Sequence, residues 1–164
     1  MSLFMNAFSL LNINIVLSSQ ITNVYRCKRE IRSETGKIDI PYIEPLLLYH
    51  EFLILENGTN KFVLEFVPEF PCVQLIAQSN PEFVDKTKVD IIGHYSLLRW
   101  VYSMYSCMSD RTYHFLSQNC QEAVTNTIKK VSEEDRSLYF KKSDQKNSHF
   151  RYIIDETHYY FQFR

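Results

Sequence analysis

Residues 46–67 read LLLYHEFLILENGTNKFVLEFV, two apolar, strand-like runs on either side of Asn57-Gly58. A two-residue type I′ turn needs positive φ at both central positions, and Asn followed by Gly supplies it at little steric cost. The stretch therefore predicts a β-hairpin with Asn57 and Gly58 at its tip and Glu56 paired with Thr59. Pairing outward from that tip places His50 directly opposite Glu65, with Cβ atoms ~5 Å apart. Alternation along the first strand puts His50, Phe52 and Ile54 on one face, and Tyr49, Glu51 and Leu53 on the other. A loop one residue longer would turn Glu65 to the wrong face, so the pairing rests on the length of the turn. Asn57-Gly58-Thr59 is also a glycosylation sequon, but the turn accounts for it without secretion.

Outward from the hairpin the chain alternates strand and helix signals. Residues 13–31 (INIVLSSQITNVYRCKREI) carry strand-like β-branched and aromatic stretches. Residues 33–37 read as a loop broken by Gly36, and Pro41 and Pro45 frame an irregular approach to the hairpin. Downstream, Pro68 and Pro71 end the second hairpin strand, and residues 83–92 hold one more short strand. Residues 96–108 have helical spacing, with Leu97, Val101, Met104 and Met108 on one side, and Ser109-Asp110-Arg111 breaks the helix. From 120 to 131 (CQEAVTNTIKKV), Cys120, Ala123, Val124, Thr127, Ile128 and Val131 share a helical face. Lys129 and Lys130 fall in its last turn, where they complement the dipole. Residues 133–136 form a solvated charge run, and residues 150–164 alternate as one or two strands through Tyr152, Ile154, Tyr159, Phe161 and Phe163. This is the pattern of a single α+β domain over residues 1–164.

Composition narrows the functional classes. With 45% hydrophobic and 15% aromatic residues in 164, the chain can bury a core and is not a disordered segment. A formal net charge of −1 gives no global pull toward nucleic acid or an anionic membrane. Cys27, Cys72, Cys107 and Cys120 form no C-x-x-C pair and no Cys/His ligand spacing, which argues against zinc; no metal or other cofactor is expected. Their number does not suit a disulfide scaffold in a chain of this length, so reduced thiols in the cytoplasm are expected. Residues 1–18 (MSLFMNAFSLLNINIVLS) are apolar, but lack a basic flank and are interrupted by Asn6, Asn12 and Asn14. They are too broken for a spanning helix, and a weak signal peptide stays as the alternative reading.

Cys120 and His50 are the residues with chemistry to offer. Asn119 is a favoured N-cap, which places Cys120 at the first helical position. Amide N–H groups and the helix dipole there stabilise a thiolate, and the same amides suit an oxyanion on a substrate carbonyl. Taken singly, Cys120 reads more readily as a small apolar side chain on the buried face, and His50 as an ordinary strand histidine. Glu65 is either the carboxylate that orients His50 or a cross-strand ion-pair partner.

The combination resembles a known family. His50 heads a hairpin strand, and Tyr113-x-x-Leu116-x-x-Asn119-Cys120-x-x-x-Val124 follows seventy positions later, behind an amphipathic helix. This looks like the lecithin retinol acyltransferase-like family, in the circularly permuted NlpC-type branch of the papain-like fold. The resemblance spans roughly residues 46–131, leaving the strands of 13–31 and 150–164 as extensions. It implies an antiparallel sheet packed against helices that include the cysteine helix, with Cys120 as nucleophile, His50 as base, Glu65 as orienter and Asn119 as cap and oxyanion support. Two departures stand out. The family's usual Asn-Cys-Glu-His-Phe is here Asn119-Cys120-Gln121-Glu122-Ala123, and its second histidine is here Glu65.

The implied activity is acyl hydrolysis or transfer through a thioester, on a lipid ester or fatty-acyl donor met at the membrane surface. Permuted papain-like deubiquitinases and desumoylases share a similar Tyr-His strand and Asn-Cys helix, which Tyr49-His50 and Asn119-Cys120 also fit, so a peptide substrate and isopeptide cleavage form the alternative. A binding module that has kept the fold and lost the chemistry is the third.

Overall fold

The computed structural model describes residues 16–30, 32–33, 36–37, 49–58, 60–67, 72–108, 119–133, 149–154 and 157–161. It is an α+β arrangement of strands β1 (Asn23–Glu30), β2 (Arg32–Ser33), β3 (Gly36–Lys37), β4 (Tyr49–Asn57), β5 (Asn60–Val67), β6 (Cys72–Ala77) and β7 (Asp85–Lys88), helices α1 (Leu97–Met108) and α2 (Cys120–Val131), and strands β8 (His149–Ile154) and β9 (Thr157–Phe161). Seven strands form one sheet in the order β7-β1-β4-β5-β6-β8-β9, and β2 and β3 form a two-stranded sheet. Neighbours from β7 to β6 are antiparallel, whereas β6 and β8 run parallel. A parallel pair needs a long crossover, and here that crossover carries both helices.

The helices cover one face of the sheet. Leu53, Leu55, Phe62, Leu64, Phe66, Val73 and Leu75 meet Leu97, Trp100, Val101, Met104, Tyr105, Met108, Ala123, Val124 and Val131 in one buried cluster. Burying a Val or Leu side chain contributes roughly 1.5–3 kcal/mol, so this layer is the main source of cohesion between helices and sheet. On the other face Cys27, Phe52, Ile54 and Val63 form a second buried cluster. Buried residues on both faces explain why β4 reads as a nearly continuous apolar run.

Both helices start and end within a residue of the positions that periodicity predicts. Ser96 Oγ accepts from Arg99 N at 3.2 Å at the start of α1, and Asn119 caps α2. No described helix is long and apolar enough to cross a membrane.

Several expectations need correction. The hairpin forms, but its turn is one residue further along. Asn57 is the last residue of β4 and pairs with Asn60, while Glu56 pairs with Lys61 rather than Thr59. Gly58, at φ 57°, supplies the left-handed residue. Among the described residues of 13–31, Asn23–Glu30 is the strand, and residues 16–18 form a helical turn. The loop expected over 33–37 includes the β2–β3 ribbon. Residues 72–77, CVQLIA, make strand β6, where no strand was expected. The short strand sought in 83–92 is β7, an exposed edge, and the tail forms both β8 and β9. Residues 1–15, Pro41, Pro45, Pro68, Pro71, 109–111, Tyr113, Leu116, 134–136 and Phe163 lie outside the described residues.

Candidate active site

The site is built where the tip of α2 meets the beginning of β4. Asn119 has extended backbone (φ −120°, ψ −176°), and its side-chain Oδ1 accepts from Glu122 N at 3.0 Å. Cys120 is therefore the first residue of the helix, where backbone N–H groups and the dipole favour a negative sulfur. Across from it, the β4–β5 ladder begins only at Leu53 and Leu64. Ahead of that pair, the Glu51 amide donates to Cys120 Sγ at 3.4 Å. The thiol thus takes a hydrogen bond from the sheet backbone where ladder pairing to β5 has not yet begun.

An ion pair seats the helix in this position. Arg26 of β1 reaches Glu51 Oε2 through Nε at 2.9 Å and Thr125 Oγ1 of α2 through Nη2 at 3.0 Å. Lys28 Nζ stands 3.7 Å from the other Glu51 oxygen. Glu51 is buried, so removing Arg26 would leave its carboxylate with the more distant Lys28 as its cation.

His50, the neighbour of Glu51, points to the opposite face. Its Nε2 lies 2.9 Å from Glu65 Oε2, and its ring also hydrogen-bonds the Cys120 thiol. With Nε2 engaged by a carboxylate, the neutral ring keeps its proton there, and Nδ1 is left to take the proton of the thiol. The ring stacks on Phe52, with centroids 6.1 Å apart and planes 16° from parallel. Burial disfavours the imidazolium, but the Cys120 and Glu65 hydrogen bonds and their negative charges outweigh it and lift the His50 pKa from 6.5 to about 9.

Glu65 is 0% exposed. Burial pushes its carboxyl up, but the His50 hydrogen bond, the Arg29 charge and the Gln74 hydrogen bond together hold it below the ordinary carboxylate range. Arg29 Nη2 reaches Oε2 at 2.8 Å, and Gln74 Nε2 donates to Oε1. Arg29 is the register partner of His50 on β1, and Gln74 that of Glu65 on β6. Four adjacent strands thus place Arg29, His50, Glu65 and Gln74 in one polar row on the face away from the helices.

All four residues named from sequence, Cys120, His50, Glu65 and Asn119, meet at this site. The route to Glu65 differs from expectation. With Leu53 facing Leu64, Glu65 lies level with Phe52 and reaches His50 diagonally rather than directly across. A two-residue loop displaced by one position moves the register by two, which preserves the face of every side chain. Arg29 and Gln74 were not foreseen. The signal for Gln74 was a lone polar residue inside the apolar run 72–77, and Arg29 became visible only with the β1–β4 register. Among the described residues no three His, Cys, Asp or Glu side chains converge as metal ligands would.

Chemically, the arrangement holds a nucleophile, a base oriented by an anion, and helix-tip amides in one place. Comparison with protein-family models, with curated proteins and with solved structures finds no match to this chain.

Proposed function

We propose that the protein is a cysteine-dependent acyl hydrolase or acyltransferase with a circularly permuted papain-like arrangement. The observation that carries this reading is the single imidazole of His50, hydrogen-bonded to Cys120 on one side and to buried Glu65 on the other. An inert buried cysteine needs neither a histidine nor a helix tip; a thiol nucleophile uses both.

In the proposed reaction the Cys120 proton passes to His50 and the thiolate adds to the substrate carbonyl carbon, forming a C–S bond. The helix-tip amides stabilise the oxyanion. As the carbonyl re-forms, the bond to the leaving oxygen or nitrogen breaks, and that atom takes the proton from His50. The product is a Cys120 thioester. Water or an acceptor hydroxyl then gives its proton to His50 and attacks the thioester, the C–S bond breaks, and Cys120 leaves as thiolate. Glu65 keeps Nδ1 turned toward sulfur and stabilises the imidazolium throughout. The resemblance to the lecithin retinol acyltransferase-like family makes a fatty-acyl ester the substrate class to try first.

The test is acyl-enzyme capture. A fatty-acyl ester bearing an affinity tag is incubated with protein at neutral pH, and the labelled residue is located by mass spectrometry. Labelling at Cys120 that disappears in Cys120→Ala, with the fold retained, is expected. Equal labelling of Cys120 and the other cysteines, or turnover unchanged in Cys120→Ala, would overturn the proposal. Labelling of Cys120 by an isopeptide-mimicking probe but not by the acyl ester would move the same thiol to the deubiquitinase-like alternative.

A further inference from the structure

We infer that Arg29 is a positioning residue that sets the pH range over which the Cys120–His50 pair is charged. The inference rests on the thiol–imidazole reading above.

Arg29 and His50 face each other across β1 and β4 and converge on one atom. Glu65 Oε2 accepts from Arg29 Nη2 at 2.8 Å and from His50 Nε2 at 2.9 Å. The guanidinium also lies over Phe52, 5.1 Å from the ring centroid, and the same ring stacks on His50. Arg29 is thus held by shape as well as by charge, and its cation sits beside the imidazole that has to become one. Gln74 holds the other Glu65 oxygen, so the carboxylate cannot rotate to give each cation an oxygen of its own.

The groups that face this cluster can be named element by element. β4 contributes His50, β1 contributes Arg29, β6 contributes Gln74, and α2 contributes Cys120. Arg151 stands next to Gln74 in the β6–β8 register. Glu51 lies on the opposite face, where Arg26 and Lys28 neutralise it. In the reactive state two anions, Cys120 and Glu65, are balanced by two cations, His50 and Arg29. Removing the Arg29 charge withdraws support from the thiolate, so the thiol gives up its proton at higher pH. The same change relieves the imidazolium of a like charge and of a competitor for Oε2, so His50 also keeps its proton to higher pH. Both ends of the working range move in the alkaline direction.

The experiment follows alkylation of each cysteine by iodoacetamide, residue by residue by mass spectrometry, from about pH 5 to about pH 10, a span chosen to bracket thiol and imidazole ionisation. Wild-type Cys120 is expected to show two steps, formation of the ion pair and, near pH 9, loss of the imidazolium proton. In Arg29→Met both steps move up by about half to one pH unit, and Arg29→Lys returns them toward wild type, because a charge beside a titrating group acts on this scale even when partly screened. Superimposed Arg29→Met and wild-type profiles, or steps displaced toward acid, would overturn the inference.

Cys27 is 0% exposed and serves as the folding control. If it becomes labelled in Arg29→Met, the decision passes to wild-type protein in rising salt. The Arg29 side chain is 39% exposed and that of Glu65 1%, so salt screens the guanidinium ahead of the enclosed pair. The first step then moves up between about 0.05 and about 1 M salt; no movement overturns the role of Arg29. A wild-type Cys120 that titrates in one step near the ordinary thiol value of about 8.5 would instead remove the underlying ion-pair reading.

Discussion

Cys27 and Cys120 are both buried thiols, 0% and 3% exposed, yet their surroundings give them opposite characters. Cys27 lies in the middle of β1 among Phe52, Ile54 and Val63. Its sulfur is 3.8 Å from its own strand's Tyr25 carbonyl, which can only accept a proton. Burial raises its pKa from 9.0 to about 11, with the Lys86 charge and a backbone hydrogen bond from Ile54 giving only partial relief. Cys120 receives a backbone N–H, sits on the positive end of a helix and touches an imidazole. Burial alone therefore does not decide whether a thiol is inert. What Cys120 has and Cys27 lacks is an adjacent imidazole and a helix N-terminus, both of which favour the thiolate.

The sharpest way to break this contrast is to remove the imidazole. In His50→Asn, Cys120 loses the cation that balances its thiolate and should fall back toward an ordinary thiol. Its alkylation rate at pH 7 is expected to drop roughly 30-fold, the fall from a fully ionised thiol to the few per cent of thiolate in an ordinary one. Cys27 should be unaffected. Site-resolved alkylation measures both, and an unchanged Cys120 rate would erase the difference between the two thiols.

Glu65→Gln should have a smaller effect. The imidazole keeps a hydrogen-bonding neighbour but loses its anion, so the upper titration step should fall from about 9 toward the ordinary histidine value of 6.5. Stability gives a second readout with a defined sign. The depressed Glu65 carboxyl contributes stability that is present above 4.5 and lost as pH falls through its folded value. The elevated His50 contributes stability that is complete below 6.5 and lost as pH rises through about 9. The destabilisation caused by Glu65→Gln should therefore be greatest between pH 4.5 and 6.5 in denaturant titrations. A pH-independent difference would mean that Glu65 acts only through packing.

Asn119→Ala should matter least. It removes the acceptor of the Glu122 amide and should lower stability by about 1 kcal/mol, or roughly 2–4 °C in melting temperature for a chain of this size. Cys120 should keep most of its alkylation rate, because His50 and the Glu51 amide remain in place. A loss as large as that of His50→Asn would show that the cap, rather than the imidazole, separates the two thiols.

How much of this was legible in advance depends on the range of the interaction. Helix α2 starts at Cys120 and ends at Val131 because Asn119 offers a capping oxygen and the apolar residues recur at helical spacing. Both signals lie within one or two turns of chain. The hairpin was legible for the same reason, since Asn57-Gly58 sits between two strand-like runs. Its register was not. Pairing Glu56 with Thr59 or with Lys61 puts the same residues on the same faces, so alternation cannot choose between them. The choice falls to packing, which seats Leu53 against Leu64 and Leu55 against Phe62 beneath the helices.

The amino-acid sequence by itself determined the helix tip that carries Cys120, the strand that carries His50, and the face shared by His50 and Glu65, since these follow from caps, turns and periodicity within a few residues. Only the tertiary structure decided that the sulfur meets the ring, that the Glu51 amide turns to the thiol, and that Arg29 and Gln74 close on Glu65. Those contacts join residues of β1, β4, β5, β6 and α2 that are far apart in the chain. The physical reason is that sheet register and helix docking are fixed by burial of the whole core, a quantity that no local stretch of sequence contains.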